Sequence, residues 1–377
     1  MRAGGPHCAS WCIRSRDFRT NQNVSIPKKG GSPTPASSLR IVSIGGGTGL
    51  STLLKGLKRF TQHRRLEPAE TPLIEVTAVV TVTDDGGSSG RLRREFDVLP
   101  PGDIRNCMVA LSEDEALLSQ LFQYRFPAGR GLKGHSFGNL FLTALTNLTG
   151  DFAQAVKLSS EVLAISGKIY PSTADNVTLQ AEMTDGSVVA GESKITAAKN
   201  SISRLTLTPK ECRPVRETLE AIASADLITL GPGSLFTSVI PNMPVHGIPR
   251  AIEESPAVKA YFCNIMWQPG ETTRFRASDH VKAIHAHARR KLIDYVILNN
   301  APISEQVQRA YAREQAQPVE NDVERLEKMG LSVIAGNLLA ESPMVRHHSD
   351  RSAAIALELA MEGRRRRMKN ALARLGS

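Results

Sequence analysis

Two adjacent carboxylates, Asp84 and Asp85, end a β-branched run and open the string DDGGSSG at 84–90. Carboxylates at the carboxyl end of a strand, beside flexible hydroxyl-bearing backbone, suit three tasks. They can hold a ribose hydroxyl, bind Mg2+ on phosphate oxygens, or take the proton of an acceptor hydroxyl. Both are catalytic candidates, and Asp84 is also the metal candidate. Gly86, Gly87, Ser88 and Ser89 would offer N–H and O–H donors to an anion. An Asx-rich turn accounts for one Asp and one Gly, but not for seven such residues in a row.

A second string, Gly45-Gly46-Gly47-Thr48-Gly49, follows Ile41-Val42-Ser43-Ile44 and precedes a leucine-rich helical pattern. A strand feeding a glycine loop feeding a helix leaves amide N–H groups and the positive helix end facing open space, which suits phosphate. The spacing departs from the dinucleotide fingerprint, because Leu50 holds the last glycine position and no acid lies about 20 residues on. No GK[ST] follows either, so this is no Walker motif. GPGSLFTS at 231–238 repeats the arrangement, with Gly231, Gly233 and Ser234 as a third anion or sugar contact. In GLKGHSFGNL at 131–140, His135 and Asn139 stand four apart and could face one ligand. Gly47, Gly87 and Gly233 are therefore expected to converge on one diphosphate at the carboxyl edge of a parallel sheet.

The elements that must position these loops alternate along the chain. Strands are expected at 39–44, 73–82, 227–230, 258–263, 295–298 and 331–335. Helices are expected at 103–111, with Asp103 as N-cap, and at 115–124, 136–148, 152–163, 214–223, 278–290, 303–314 and 349–375. Residues 177–190 alternate around Thr184-Asp185-Gly186-Ser187, the pattern of an antiparallel hairpin. The fold class that results is α/β: a Rossmann-like, doubly wound, mainly parallel sheet with helices on both faces and a small β-hairpin insertion. Residues 1–38 read as a disordered basic arm, 39–348 as the Rossmann-type domain and 349–377 as a basic C-terminal helix. Cys107 reads as core, His285 and His287 as surface residues, and Arg364–Arg367 as a solvated helix end.

The net charge of +10 belongs to the ends of the chain. Residues 1–40 and 364–377 each contribute +6, which leaves 41–363 at −2. A groove for a nucleic-acid backbone should lie within the fold, so nucleic acid is not the expected partner. No apolar run approaches the roughly 20 residues of a membrane span. Five cysteines without zinc or CxxC spacing suit reduced thiols in the cytoplasm.

The segments IVSIGGGTGLSTLLKGL, TAVVTVTDDGGSSGRLRREFDVLPPGDIRNCMVALS, GHSFGNLFLTALT, GPGSLFTSVIPN and YFCNIMWQPGET together closely resemble the bacterial YvcK-type gluconeogenesis factors, within the wider CofD-like family. The resemblance runs from about residue 39 to about residue 350 and implies a cytoplasmic protein that binds nucleotide sugars of the UDP-glucose and UDP-N-acetylglucosamine kind. It implies a link to cell shape and wall synthesis during gluconeogenic growth, protein partners in that process, and a homo-oligomer. By position, the family's nucleotide-sugar contacts fall on Tyr311 and on Arg346 of VRHHSD. The CofD branch implies an alternative, a Mg2+-dependent transfer of a phospholactyl group from a nucleotide-activated donor to a hydroxyl acceptor.

Overall fold

A computed structural model describes residues 38–61, 73–113, 117–198, 200–340 and 344–375. The basic arm expected at 1–38 lies outside the described residues except for Ser38.

The first half runs β1 (Leu39–Gly45), α1 (Gly47–Leu57), β2 (Ile74–Val80), α2 (Gly87–Phe96), α3 (Gly102–Leu111), α4 (Leu117–Gln123), α5 (Phe137–Thr149), α6 (Phe152–Val162) and β3 (Lys168–Pro171). An insertion follows, with β4 (Thr178–Met183), β5 (Val188–Ala190), α7 (Glu192–Ala197) and β6 (Ile202–Thr208). The second half runs α8 (Arg216–Ser224), β7 (Leu227–Leu230), α9 (Ile248–Glu254), β8 (Val258–Phe262), α10 (Ala277–Ala288), β9 (Tyr295–Asn299), α11 (Glu305–Arg313), α12 (Val323–Lys328), β10 (Ser332–Gly336) and α13 (Ser349–Leu375).

Seven strands form one sheet in the order β10-β9-β8-β7-β1-β2-β3, every neighbouring pair parallel. β1 lies inside it, paired with β2 from Leu39↔Ile74 to Gly45↔Val80 and with β7 from Ile41↔Leu227 to Ile44↔Leu230. Strands covered on both faces need apolar side chains on both, which is why β1, β2, β7 and β8 are mostly apolar, with charged residues (Arg40, Glu75 and Lys259) only at the second position of a strand. The doubly wound α/β class stands. The insertion is larger than a hairpin: β4 pairs with β5 around the expected turn, and also with β6 in a three-stranded antiparallel sheet.

Three expectations need correction. α3 is capped by Pro101, and Asp103 lies inside the helix, where its carboxylate accepts the Gly47 N–H of the first glycine loop. His287 is not a surface residue: its Nε2 accepts the Leu205 N–H at 2.9 Å and its Nδ1–H donates to the Ala283 carbonyl at 2.7 Å, so it joins α10 to β6. His285 is half-buried beside it. Within Arg364–Arg367 only part of the charge is solvated. Arg364 and Arg367 both reach the fully buried Asp226 at the foot of β7, at 2.7 and 3.0 Å, and Asp226 also accepts the Arg40 N–H of β1 at 2.8 Å. Arg366 pairs with Glu362 and lies over the Tyr295 ring. The basic stretch thus clamps α13 to the central strands. Glycine makes the fit close, since a Cβ on Gly363 would meet the Asp226 carbonyl and one on Gly56 of α1 would meet the Ser349 carbonyl of α13. Cys107 is buried in the core as expected.

Candidate functional site

From β1 the chain winds outward through β2 and β3, then returns to the other side of β1 with β7 and winds away through β8, β9 and β10. The winding reverses between β1 and β7, and helices there leave in opposite directions, so a crevice opens at the carboxyl ends of the two strands. The loop after β1 is Gly45–Gly49 and the loop after β7 begins at Gly231. Between them lies a cavity of about 340 Å³, lined by Gly46 to Gly49, Gly233, Ser234, Asn264, Tyr311, Arg346 and their neighbours.

Close approach of the two loops depends on Gly49. A Cβ there would stand 2.6 Å from the Pro232 carbonyl oxygen and 2.7 Å from the Gly233 N and Cα. Gly46 has a similar limit on its other side, where a Cβ would lie 2.5 Å from Asp103 Oδ2. Asn264, two residues beyond β8, fixes the β7 loop by donating Nδ2–H to the Gly233 carbonyl at 3.0 Å. Its Oδ1 accepts from the Tyr261 hydroxyl at 3.1 Å.

The far wall comes from the C-terminal part of the chain. The Tyr311 hydroxyl oxygen accepts the Val345 N–H at 2.9 Å, which leaves its proton available to the cavity. Arg346 is exposed at the rim, and its guanidinium has no side-chain or backbone partner among the described residues. His347 is held inward by donating Nε2–H to the Cys263 carbonyl at 3.1 Å, and burial pushes its pKa down to about 4. It stays neutral at physiological pH.

The acidic loop sits one strand over, at the end of β2. Its groups are largely spent on one another and on its supports. Asp84 Oδ1 accepts the Gly86 N–H at 2.9 Å, and Asp85 Oδ1 accepts the Ser193 N–H of α7 at 2.8 Å. Ser88 bonds His135 Nδ1 at 3.0 Å, and Asn139 donates to Ser89 Oγ at 3.3 Å. Carboxyl groups crowd here. Burial and then the neighbouring Asp84 raise Asp103 to about 6. Burial, then Asp84, Asp103, Asp85 and Glu271, raise Glu192 to about 9. Burial also raises Glu271, against hydrogen bonds that include one from Ser234 Oγ at 2.5 Å. Among the described residues no group of three or more His, Cys, Asp or Glu side chains is set to hold a metal ion.

With this geometry in view, comparison with known proteins is informative. The family described as 2-phospho-L-lactate transferase CofD matches residues 41–339. The chain belongs to the CofD family. It is 48% identical over 319 residues to a gluconeogenesis factor of Halalkalibacterium halodurans, an alignment covering 84% of this chain and 95% of that protein. It is 46% identical over 324 residues to the gluconeogenesis factor of Bacillus subtilis, covering 86% and 98%. A crystal structure of a upf0052 family member from Bacillus halodurans superimposes with a TM-score of 0.80 at 47% identity, covering 85% of this chain and 99% of that one.

Within this CofD-family fold, Gly46, Gly47, Thr48, Gly49, Gly233, Ser234, Tyr311 and Arg346 share the cavity. Gly45 ends β1 beneath it, and Gly231 is buried where β7 ends. Gly87 does not line it, so of the three glycines expected to converge, Gly47 and Gly233 do and Gly87 does not. The switch point explains this, because β2 lies on the far side of β1. His135 and Asn139, 3% and 2% exposed, support the serines of the acidic loop and do not line the cavity. Sequence reading missed Asn264, Asp103 as an internal anion, the half-buried Glu192 and the buried Glu271. Asn264 carried one signal, its place just past a strand's carboxyl end.

Proposed function

We propose that this protein binds a nucleotide sugar of the UDP-glucose or UDP-N-acetylglucosamine type in the β1/β7 crevice. In this reading it is a cytoplasmic regulatory factor for cell shape and wall synthesis during gluconeogenic growth. It passes ligand occupancy to protein partners, and it turns over nothing. The observation that carries it is the single cavity in which a glycine loop at a helix N-terminus meets Tyr311 and Arg346. Such a cavity offers donors to a diphosphate from one side and a cation and a hydroxyl from the other. The gluconeogenesis-factor relatives, matched over most of their length, support the physiological part.

Isothermal titration with UDP-N-acetylglucosamine and UDP-glucose tests it. Saturable heat is expected, weakened at least about tenfold in Arg346→Ala, where a charge-assisted hydrogen bond is lost. The absence of heat with both nucleotides, from a protein that melts cooperatively, refutes it.

A second reading follows from Asp84 and Asp103, whose mutual repulsion contributes to the raised pKa of Asp103. Their oxygens suit Mg2+, which binds through one or two carboxylates together with substrate phosphates. Bound there, Mg2+ would neutralise charge on a departing phosphoryl group. The CofD family match favours this transfer. Nucleotide release from an activated donor plus a deazaflavin alcohol, lost in Asp84→Asn, is its expected signature. No release from the wild-type protein removes it.

A further inference from the structure

The crevice does not end at Arg346 and His347. It continues into a second cavity of about 530 Å³, which shares Thr52, Arg346 and His347 with the first. Helix α1 leads from one to the other: Thr48 lines the first, Thr52 both and Lys55 the second. These positions are i, i+4 and i+7 on one helical face, so Lys55 stands about 10 Å along the axis from Thr48. The opposite wall is the start of α13, where His348, Ser349 and Arg351 face the space. The positive end of that 27-residue helix adds to the local potential.

Lys55, Arg346 and Arg351 line this cavity, and among the described residues no Asp or Glu does. Asp350, in the first turn of α13, is paired with Arg59 at 2.9 Å. The Lys55 ammonium has no partner among the described residues, and Arg351 reaches only the Asn337 carbonyl at 3.3 Å. Three cations around one space repel one another, and a bound anion relieves that repulsion. The nucleotide-sugar reading already places the diphosphate in the first cavity, so the second has charge left for another group.

We propose that this cavity is an anion subsite for a carboxylate or phosphoryl group carried by the sugar, so that the preferred ligand is a nucleotide-linked acidic sugar. The inference rests on the nucleotide-sugar reading of the β1/β7 crevice. Lys55 and Arg351 set the preference, and Arg346, shared by both cavities, holds the junction between diphosphate and sugar.

The test compares UDP-glucuronate with UDP-glucose, which differ by one carboxylate at the far end of the sugar. UDP-glucuronate should bind about tenfold tighter, the worth of one charge-assisted hydrogen bond. Raising salt should shrink the ratio, because these cations face solvent. Lys55→Ala and Arg351→Ala, singly and together, should bring the ratio towards one, with UDP-glucose binding in each variant as the internal reference for a folded site. Free inorganic phosphate should weaken UDP-glucuronate binding more than UDP-glucose binding. Equal affinity for both sugars in the wild-type protein overturns the subsite and leaves the crevice reading intact. Failure of both to bind removes the crevice reading, and the subsite falls with it.

Discussion

Gly49→Ala places one methyl group between the two loops that flank the β1/β7 cavity. Its Cβ would lie 2.6 Å from the Pro232 carbonyl oxygen and 2.7 Å from Gly233 N and Cα, where ordinary contact begins at 3.4 Å. All three are backbone atoms and cannot swing aside, so the β7 loop must retreat from α1 by about 0.7 Å. Hydrogen bonds that span both loops to one diphosphate then stretch from about 2.9 Å to about 3.6 Å, beyond useful range. Losing one charge-assisted bond costs about 1.5–3 kcal/mol, a tenfold to hundredfold loss of affinity on the scale of about 1.4 kcal/mol per decade. Overpacking itself costs about 1–3 kcal/mol of stability. The assay is titration with UDP-N-acetylglucosamine, with a thermal melt to show that the variant is folded. Gly186→Ala is the control: its φ of +82° strains the substitution, but nothing lies within 4 Å of the new Cβ, in a turn of the insertion. It should lose stability and keep wild-type affinity. A folded Gly49→Ala protein with unchanged affinity would refute the claim that loop contact shapes the site.

Other outcomes follow from the same geometry. Asp226→Asn leaves Arg364 and Arg367 facing a neutral amide and should cost about 3 kcal/mol. At about 2.1 cal/mol/K per residue over roughly 340 residues, that lowers Tm by about 4 °C, and a shift below about 1 °C argues against the clamp. The Glu192 carboxyl is raised from 4.5 to about 9, so folding favours its protonated form, and stability drains away as pH climbs from 4.5 towards 9. Glu192→Gln should therefore melt above the wild type near pH 8, with the gap closing towards pH 4.5; a gap independent of pH contradicts the assigned cause. His287→Ala removes the acceptor of the Leu205 N–H and should cost about 1–3 kcal/mol, read as faster hydrogen exchange at Leu205, while unchanged exchange there counts against the link. Burial lowers the His287 pKa below 6.5, so in the wild-type protein this link should also weaken as pH falls, because protonated Nε2 can no longer accept.

The fold was legible where physics leaves few choices. Strands buried on both faces must be apolar, and β1, β2, β7, β8 and β9 fall within two residues of their expected bounds, as does the more exposed edge strand β10. β3 was not legible: Lys168-Ile169-Tyr170-Pro171 is a four-residue edge strand, where a lysine and a proline are tolerated. β6 was missed because Ile202–Thr208 alternates weakly, and its place is fixed by pairing with β4 and by His287. The arginines at 364–367 look solvated in sequence because their partner, Asp226, is 138 residues away from the first of them. The site was legible as loops but not as an assembly. Every glycine loop follows a strand, yet only strand order says which two of the three share a crevice.

That order also divides the chemistry. On the β2 side of β1, the polar groups are engaged internally: the Gly86 N–H on Asp84, Ser88 with His135, and Ser89 Oγ accepting from Asn139. The carboxyls crowded there contribute to raising Asp103 and Glu192, after burial, so that side repels a bare diphosphate. Even the Gly47 N–H at the head of α1 is turned to a protein carboxylate, that of Asp103. On the β7 side, the Tyr311 hydroxyl proton and the Arg346 guanidinium remain unspent, and Lys55 and Arg351 extend the positive wall. An anion follows free donors and positive potential. The proposed nucleotide sugar would therefore set its phosphates between β1 and β7, and meet the acidic loop only through its neutral, hydroxyl-bearing parts or across a bridging cation.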